Sequence, residues 1–340
     1  MPRVICLTGF MGSGKGEVVK MLQERGFMYA SLSDAVREEA TLRGLPHTRE
    51  HLQAVGNDLR AKGGAGALGA KVRAIVERKA ADWVIDGVRH PDEWRELRKL
   101  SHASLIGITA GDDVIVERLL QRDREGGLTA EEIRAKLQKE KGIGEPPEGQ
   151  QVRACLERAD FLIINEGTLP ELETKLDHFF GLLDGTARPT FDEVFMEIAY
   201  TWAQRATCLR RKVGAVIAKD KQQLTAGYNG APKGVPHCAE MGGCLREKLK
   251  IPSGQRHEMC RGTHAEQNAI TQAAKLGISI EGGTLYCNTF PCVICTKMIL
   301  NAGITTVIYD SDYDDPLSKE ILGQQHGLKL VRYEGRRLRV

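Results

Sequence analysis

Aromatic side chains are scarce, 5% of the 340 residues, and neither sign of charge dominates: 48 Lys and Arg against 45 Asp and Glu leave a formal net charge of +3. A protein that tracks a nucleic-acid strand needs a basic groove interleaved with stacking rings. The composition disfavours such a partner and favours small molecules. Long apolar runs are also missing. No stretch approaches the ~18 uninterrupted apolar residues of a membrane helix. The opening MPRVICLTGF lacks the combination of charged start, long apolar core and small-residue cleavage site of a secretion signal. The expectation is a cytoplasmic protein with no membrane partner. There, nine cysteines are not expected to form disulfides. Seven of them (Cys208, Cys238, Cys244, Cys260, Cys287, Cys292, Cys295) fall in the second half of the chain, a clustering that suggests metal.

A chain of this length exceeds the ~250 residues that one core usually serves, so two domains are expected. No internal repeat is visible, and the only biased tract is AKGGAGALGAK. Up to about residue 180, short apolar runs (VICLTG, DWVIDG, SLIGITA, FLIINEG) alternate with amphipathic stretches. This is the α/β pattern of a parallel sheet with flanking helices. The Gly- and Pro-containing segment GLLDGTARPTFDE breaks the periodicity. It places a domain over 1–182, a linker over 183–190 and a second domain over 191–340. In the second domain VGAVIAK, LTAGYN, TLYCNT, TTVIYD and KLVRYE alternate with helical segments opening at His264 and Pro291.

The most specific features are THAEQNAI and FPCVICTK. They set His264, Glu266, Cys292 and Cys295 in the H-x-E…P-C-x-x-C pattern of zinc nucleobase deaminases. Cysteines three apart in the first helical turn face one side, and the positive end of the helix favours their thiolates. His264 makes a third ligand and leaves a fourth position for water, as in a catalytic zinc site. Glu266, two residues beyond the histidine, is placed to carry protons as general acid and base. The alternative, a zinc knuckle beside a helix-capping histidine, does not explain the glutamate.

Residues 191 to 333 resemble a deoxycytidylate (dCMP) deaminase across nearly the whole second domain, through TCLRRKVGAVI, GYNGAPKG, HCAEMGGCLR, CRGTHAEQNAI, GGTLYCNTFPCVICTKMILNAGI and VIYDSDY. The resemblance implies a cytidine-deaminase fold, a mixed sheet flanked by helices, and zinc-dependent hydrolysis of dCMP to dUMP and ammonia. It implies substrate contacts from Asn229, with Lys212 and Tyr313 on the phosphate side. It also implies a homo-oligomer with dCTP and dTTP as effectors. By the same resemblance Cys208, Cys238, Cys244 and Cys260, with His237 and His257 nearby, hold a second, structural zinc. The alternative is that they are free thiols packed as small apolar groups.

The first domain carries GFMGSGKG. Its spacing, Gly9-x4-Gly14-Lys15, follows a strand and opens a helix, the context of a phosphate-binding loop. Gly12, Ser13 and Gly16 complete the cradle, and Lys15 supplies charge. Residues 1 to 180 resemble nucleoside monophosphate and dephospho-coenzyme A kinases. The resemblance implies that Asp86 and Arg89 of IDGVRH lie near a magnesium ion and a monophosphate, that Arg118, Arg122 and Arg124 of ERLLQRDRE belong to a lid, the alternative being a solvated helix face, and that Arg37 falls in the acceptor region. ATP with Mg2+ is the implied ligand. One departure stands out: Glu17 occupies a place where Thr or Ser is usual. A carboxylate beside phosphates weakens binding by on the order of a kcal/mol unless it is neutralised. The domain is thus an active kinase, a nucleotide sensor or a scaffold. Two further readings of the whole chain stay open, an antiphage deaminase depleting dCTP or dCMP and, disfavoured by composition, a nucleic-acid cytidine deaminase.

Overall fold

A computed structural model describes residues 2–122, 127–325 and 327–337. The chain divides into two compact units, Met1–Ala187 and Arg188–Val340. In the first, apolar runs form β1 (Val4–Thr8), β2 (Met28–Ser31), β3 (Trp83–Val88), β4 (Ala103–Thr109) and β5 (Phe161–Ile164). They lie in the order β5-β4-β1-β3-β2, and every one of these pairings is parallel. Around them run α1 (Lys15–Glu24), α2 (Leu32–Leu42), α3 (Arg49–Gly63), α4 (Ala67–Val76), α5 (Pro91–Leu97), α6 (Asp112–Arg122), α7 (Ala130–Glu140), α8 (Val152–Leu156) and α9 (Leu169–Leu183).

The period of two decides which layer each strand residue serves. Val4 and Cys6 of β1 pack with Leu32, Leu68 and Trp94. Ile5 and Leu7 face the other way, against Val18, Leu22, Leu172 and Phe179. Because both faces are covered, β1 is buried along its whole length, as central parallel strands are. β2 has no counterpart among the apolar runs in the sequence. It is a four-residue edge strand, MYAS, with one buried residue, so it has no hydrophobic signal to read.

The second unit contains β6 (Gly214–Lys219), β7 (Gln222–Tyr228), β8 (Thr284–Thr289), β9 (Thr306–Ser311) and β10 (Lys329–Arg332), ordered β10-β9-β8-β6-β7. β6 is antiparallel to β7 and β8, while β8, β9 and β10 run parallel, so the sheet is mixed. Its helices are α10 (Phe191–Ala203), α11 (Leu245–Lys248), α12 (Ala265–Leu276), α13 (Val293–Asn301) and α14 (Pro316–Gln324). On one face Phe195, Met196 and Tyr200 of α10 pack against Val216, Tyr286 and Ile308. On the other, Ala265, Ala269 and Ala273 of α12 and Ile299 of α13 cover Ala215, Ile217, Leu285 and Val307. The small side chains of α12 bring its backbone close to the sheet. That closeness fixes the N-termini of α12 and α13, where the second unit's polar chemistry lies. Among the described residues no helix is long and apolar enough to cross a membrane.

Leu285 is fully buried at the centre of this sheet. Leu285→Ala is expected to destabilise the second unit by about 2–5 kcal/mol, measured as a lower urea midpoint for that unit's transition.

Candidate functional site

Two strand-to-helix turns build the metal-ligating cluster. Thr263 forms an isolated bridge with Gly230, and His264 then caps α12, its backbone N–H held by Gln267 Oε1 at 2.8 Å. Cys292 caps α13, and Cys295 lies in that helix's first turn. The Asp315 carboxylate accepts from Val293 N–H at 2.9 Å and from Ser318 N–H at 3.1 Å, tying the start of α13 to that of α14. His264 Nδ1 stands 3.3 Å from both Cys292 Sγ and Cys295 Sγ, and the two sulfurs are 3.6 Å apart. Ligand atoms at 2.0–2.3 Å from a tetrahedral zinc stand about 3.5–3.8 Å from one another. The spacing, with two soft sulfurs and one imidazole, therefore fits zinc.

The electrostatics point the same way. Hydrogen bonding from the Cys295 thiol and from His264 brings Cys292 down to about 4, against the cost of burial. Burial disfavours the His264 imidazolium, but hydrogen bonds with Cys260 and Cys292 and the charge of Glu266 outweigh it and raise His264 to about 11. The donors thus draw positive charge to the point where they converge. Glu266, 3% exposed in the first turn of α12, has its carboxyl pushed up by burial, partly offset by His264. A carboxyl raised in this way exchanges protons more readily near neutral pH than an exposed one.

His264, Glu266 and Cys292 line a cavity of about 240 Å3, together with Asn229 and Tyr313. The Asn229 side chain holds the loop before β6, its Oδ1 accepting from Val213 N–H at 2.8 Å and its Nδ2 donating to the Arg211 carbonyl at 2.9 Å, which leaves a second N–H and a second lone pair on the amide. Tyr313 Oη accepts from Gly254 N–H and lies 3.1 Å from His257 Nε2. Lys212 is exposed and does not line the cavity, but its neighbours Arg210 and Arg211 do. Arg210 Nη1 is buried there with no hydrogen-bond partner among the described residues. The basic run at 210–212 was the readable signal. Which members face inward depends on the loop that Asn229 holds.

Cys208, Cys238, Cys244 and Cys260 line the same cavity. Among the described residues, the ligand atoms that all lie within 4.8 Å of one another belong to His264, Cys292 and Cys295, and the other four cysteines form no such group.

In the first unit the loop after β1 has the backbone that its glycines demand. Gly9 has φ 152°, and a Cβ there would stand 2.0 Å from the Ile108 carbonyl oxygen. Gly14 has φ 100°, and its Cβ would meet Asn165 Nδ2, which donates to the Ser13 carbonyl at 2.9 Å. Asn165 thus clamps the loop from the end of β5, a role that no motif announced. Gly12 also has positive φ, at 71°. Ser13 Oγ and Asp86 Oδ1 are buried and lack hydrogen-bond partners among the described residues, as expected where a polar ligand completes the site. Lys15 Nζ donates to the Gly9 and Phe10 carbonyls, both at 2.8 Å. Burial lowers its pKa, opposed by the charges of Asp86 and Glu140.

Gly9, Lys15, Arg37 and Arg89 line a second cavity, of about 350 Å3. Glu17 turns along the surface of α1 to pair with Lys20 at 3.2 Å, so its charge is neutralised beside the loop. Gly16 is exposed, and a Cβ at that position would meet nothing within 4 Å. Arg122 is exposed at the end of α6 and does not line the cavity. Arg118 donates to the Asn165 carbonyl, and Arg124 lies outside the described residues.

Comparison with known proteins agrees with this division. Residues 189–311 match the family described as "Cytidine and deoxycytidylate deaminase zinc-binding region", and residues 5–138 match one described as "AAA domain". The chain is 28% identical to a deoxycytidylate deaminase of Schizosaccharomyces pombe over 329 residues, 96% of each protein. It is 37% identical to a deoxycytidylate deaminase of Mycobacterium phage D29 over 37% of this chain and 98% of that protein. It is also 37% identical to a UPF0200 protein of Pyrococcus horikoshii, over 51% of this chain and 94% of that one.

The spacing of the three donors predicts that Cys295→Ala and His264→Ala each lose about one zinc ion per chain relative to wild type, as read by atomic emission on the purified proteins.

Proposed function

Because the chain belongs to the cytidine and deoxycytidylate deaminase family, we propose that its second unit converts dCMP to dUMP and ammonia by hydrolysis. The observation that carries this reading is the buried Glu266 carboxyl beside the His264–Cys292–Cys295 donors in one cavity. In the proposal those three residues hold zinc, which supplies hydroxide at neutral pH by lowering the pKa of bound water toward ~7. Glu266 would take the proton released by the attacking water and deliver it to N3 of the cytosine ring, then take the proton of the newly added C4 hydroxyl and pass it to the amine, which leaves as ammonia while C4 becomes a carbonyl. Raising its pKa suits it to both transfers.

Arg210, with a buried and unpartnered Nη1, is the proposed contact for the 5′-phosphate, with Arg211 steadied over the Tyr313 ring at 5.3 Å. A guanidinium provides the bidentate, charge-assisted donors that a phosphate monoester requires. Asn229 serves by fixing the loop that aims both arginines. Cys208, Cys238, Cys244 and Cys260 form the wall on that side, and a structural zinc among them is a proposal that rests on their shared cavity.

For the first unit we propose a nucleoside triphosphate bound on Gly9–Gly16 as its magnesium complex. The strained glycines, the orphaned Ser13 and Asp86 oxygens and the nearby Lys15 support this. Asp86 would face the metal and Arg89 the second ligand in the adjoining cavity.

Glu266→Ala is expected to slow dUMP formation by about 10²–10⁴ while zinc content stays at the wild-type level, measured by chromatography alongside metal analysis. Retained turnover in that variant contradicts the assignment. Arg210→Ala is expected to raise KM for dCMP by about tenfold, the cost of a lost charge-assisted hydrogen bond, with the deamination of deoxycytidine little changed.

A further inference from the structure

Glu140, the last residue of α7, is a carboxylate in an unexpected place. It is 6% exposed, and its Oε2 accepts the backbone N–H of Met11, inside the phosphate loop, at 2.8 Å. It also lines the 350 Å3 cavity with Gly9, Lys15 and Arg89. A loop of this kind presents amide donors and positive charge to bind an anion, and here an anion from the chain itself stands against it. Lys15 is turned back as well, with its ammonium on two loop carbonyls. The neighbouring residues tie α7 in place: Lys141 bridges to Asp112 at 2.6 Å and lies over the Phe10 ring, and Ile133 and Leu137 are buried against Phe10 and Val116.

We infer that Glu140 is a resident anion of the phosphate loop, which an incoming nucleotide phosphate displaces from Met11 N–H. The inference rests on the reading that the loop binds a nucleoside triphosphate. Phosphates arriving near Lys15 meet a buried like charge that costs more to keep than a surface one. That repulsion opposes the Glu140 contact with Met11 N–H. Burial lowers the Lys15 pKa, and the charge of Glu140, after that of Asp86, opposes the lowering. Glu140 therefore sets the affinity of the site by competing for it.

ATP binding to the full-length chain, titrated calorimetrically with Mg2+, tests this in four proteins: wild type, Glu140→Gln, Glu140→Asp and Lys15→Ala. The expected result is a Kd for ATP about 3- to 10-fold lower in Glu140→Gln than in wild type, the fold-change of removing one weakly screened like charge. The shorter Glu140→Asp, which keeps the charge but cannot reach Met11 from the same backbone, is expected to bind more tightly than wild type by a smaller factor. Lys15→Ala is expected to bind at least tenfold more weakly. Measurable wild-type binding that Glu140→Gln leaves unchanged or weakens overturns the displacement alone. No ATP binding by wild type or by Glu140→Gln overturns the nucleotide reading and the displacement with it. A crystal structure of the wild-type chain with bound ATP gives a check that needs no variant. Glu140 still hydrogen-bonded to Met11 N–H overturns the inference, and a broken contact supports it.

Discussion

Two sulfurs and an imidazole nitrogen within 3.6 Å of one another, in a buried pocket, require a cation. The second unit is organised around meeting that requirement. Sheet and helices put the N-termini of α12 and α13 side by side, and the positive ends of these helices favour the thiolate and carboxylate forms. Alanines along α12 allow the close approach. Asp315, itself buried, keeps the start of α13 from fraying by taking two of its neighbourhood's N–H groups. Glu266 then sits two residues beyond His264, its carboxyl pushed up by burial and partly held down by the His264 charge.

The first unit solves a related problem by the same device. α1 begins at the loop where β1 ends, and backbone amides with a lysine await an anion. In both units a helix N-terminus at a strand's carboxyl end carries the chemistry, as open α/β sheets favour. The two differ in what completes them. At the proposed zinc site the protein supplies three converging donors and a buried carboxyl. At the loop it supplies donors and an acid, Glu140, that occupies one of them, Met11 N–H.

Much of this was legible in the sequence, because ligands in a motif lie close along the chain. His264 with Glu266, Cys292 with Cys295, and Gly9 through Lys15 each fall within one turn of structure, so spacing alone predicts their juxtaposition. The strands with buried apolar runs, β1, β3, β4 and β5, were equally readable, and β2 was not, since an exposed edge carries no such run. What spacing could not give is contact between distant segments. Asn165 reaches Ser13 across 152 positions, and Glu140 reaches Met11 across 129. That Arg210 rather than Lys212 lines the cavity has a local cause: three basic residues in a row look alike until the loop's hydrogen bonds decide which of them point inward. Glu17 looked like a charge facing phosphates, but the helical spacing to Lys20 turns it along the surface.

The most direct test of the account is isotopic. Zinc-loaded wild-type protein incubated with dCMP in water enriched in 18O is predicted to release ammonia and dUMP in equal amounts, with one 18O atom per dUMP, located in the base. Failure of the zinc-loaded chain to form dUMP, or formation of dUMP without the heavy oxygen, would contradict hydrolytic deamination at the His264–Cys292–Cys295 site.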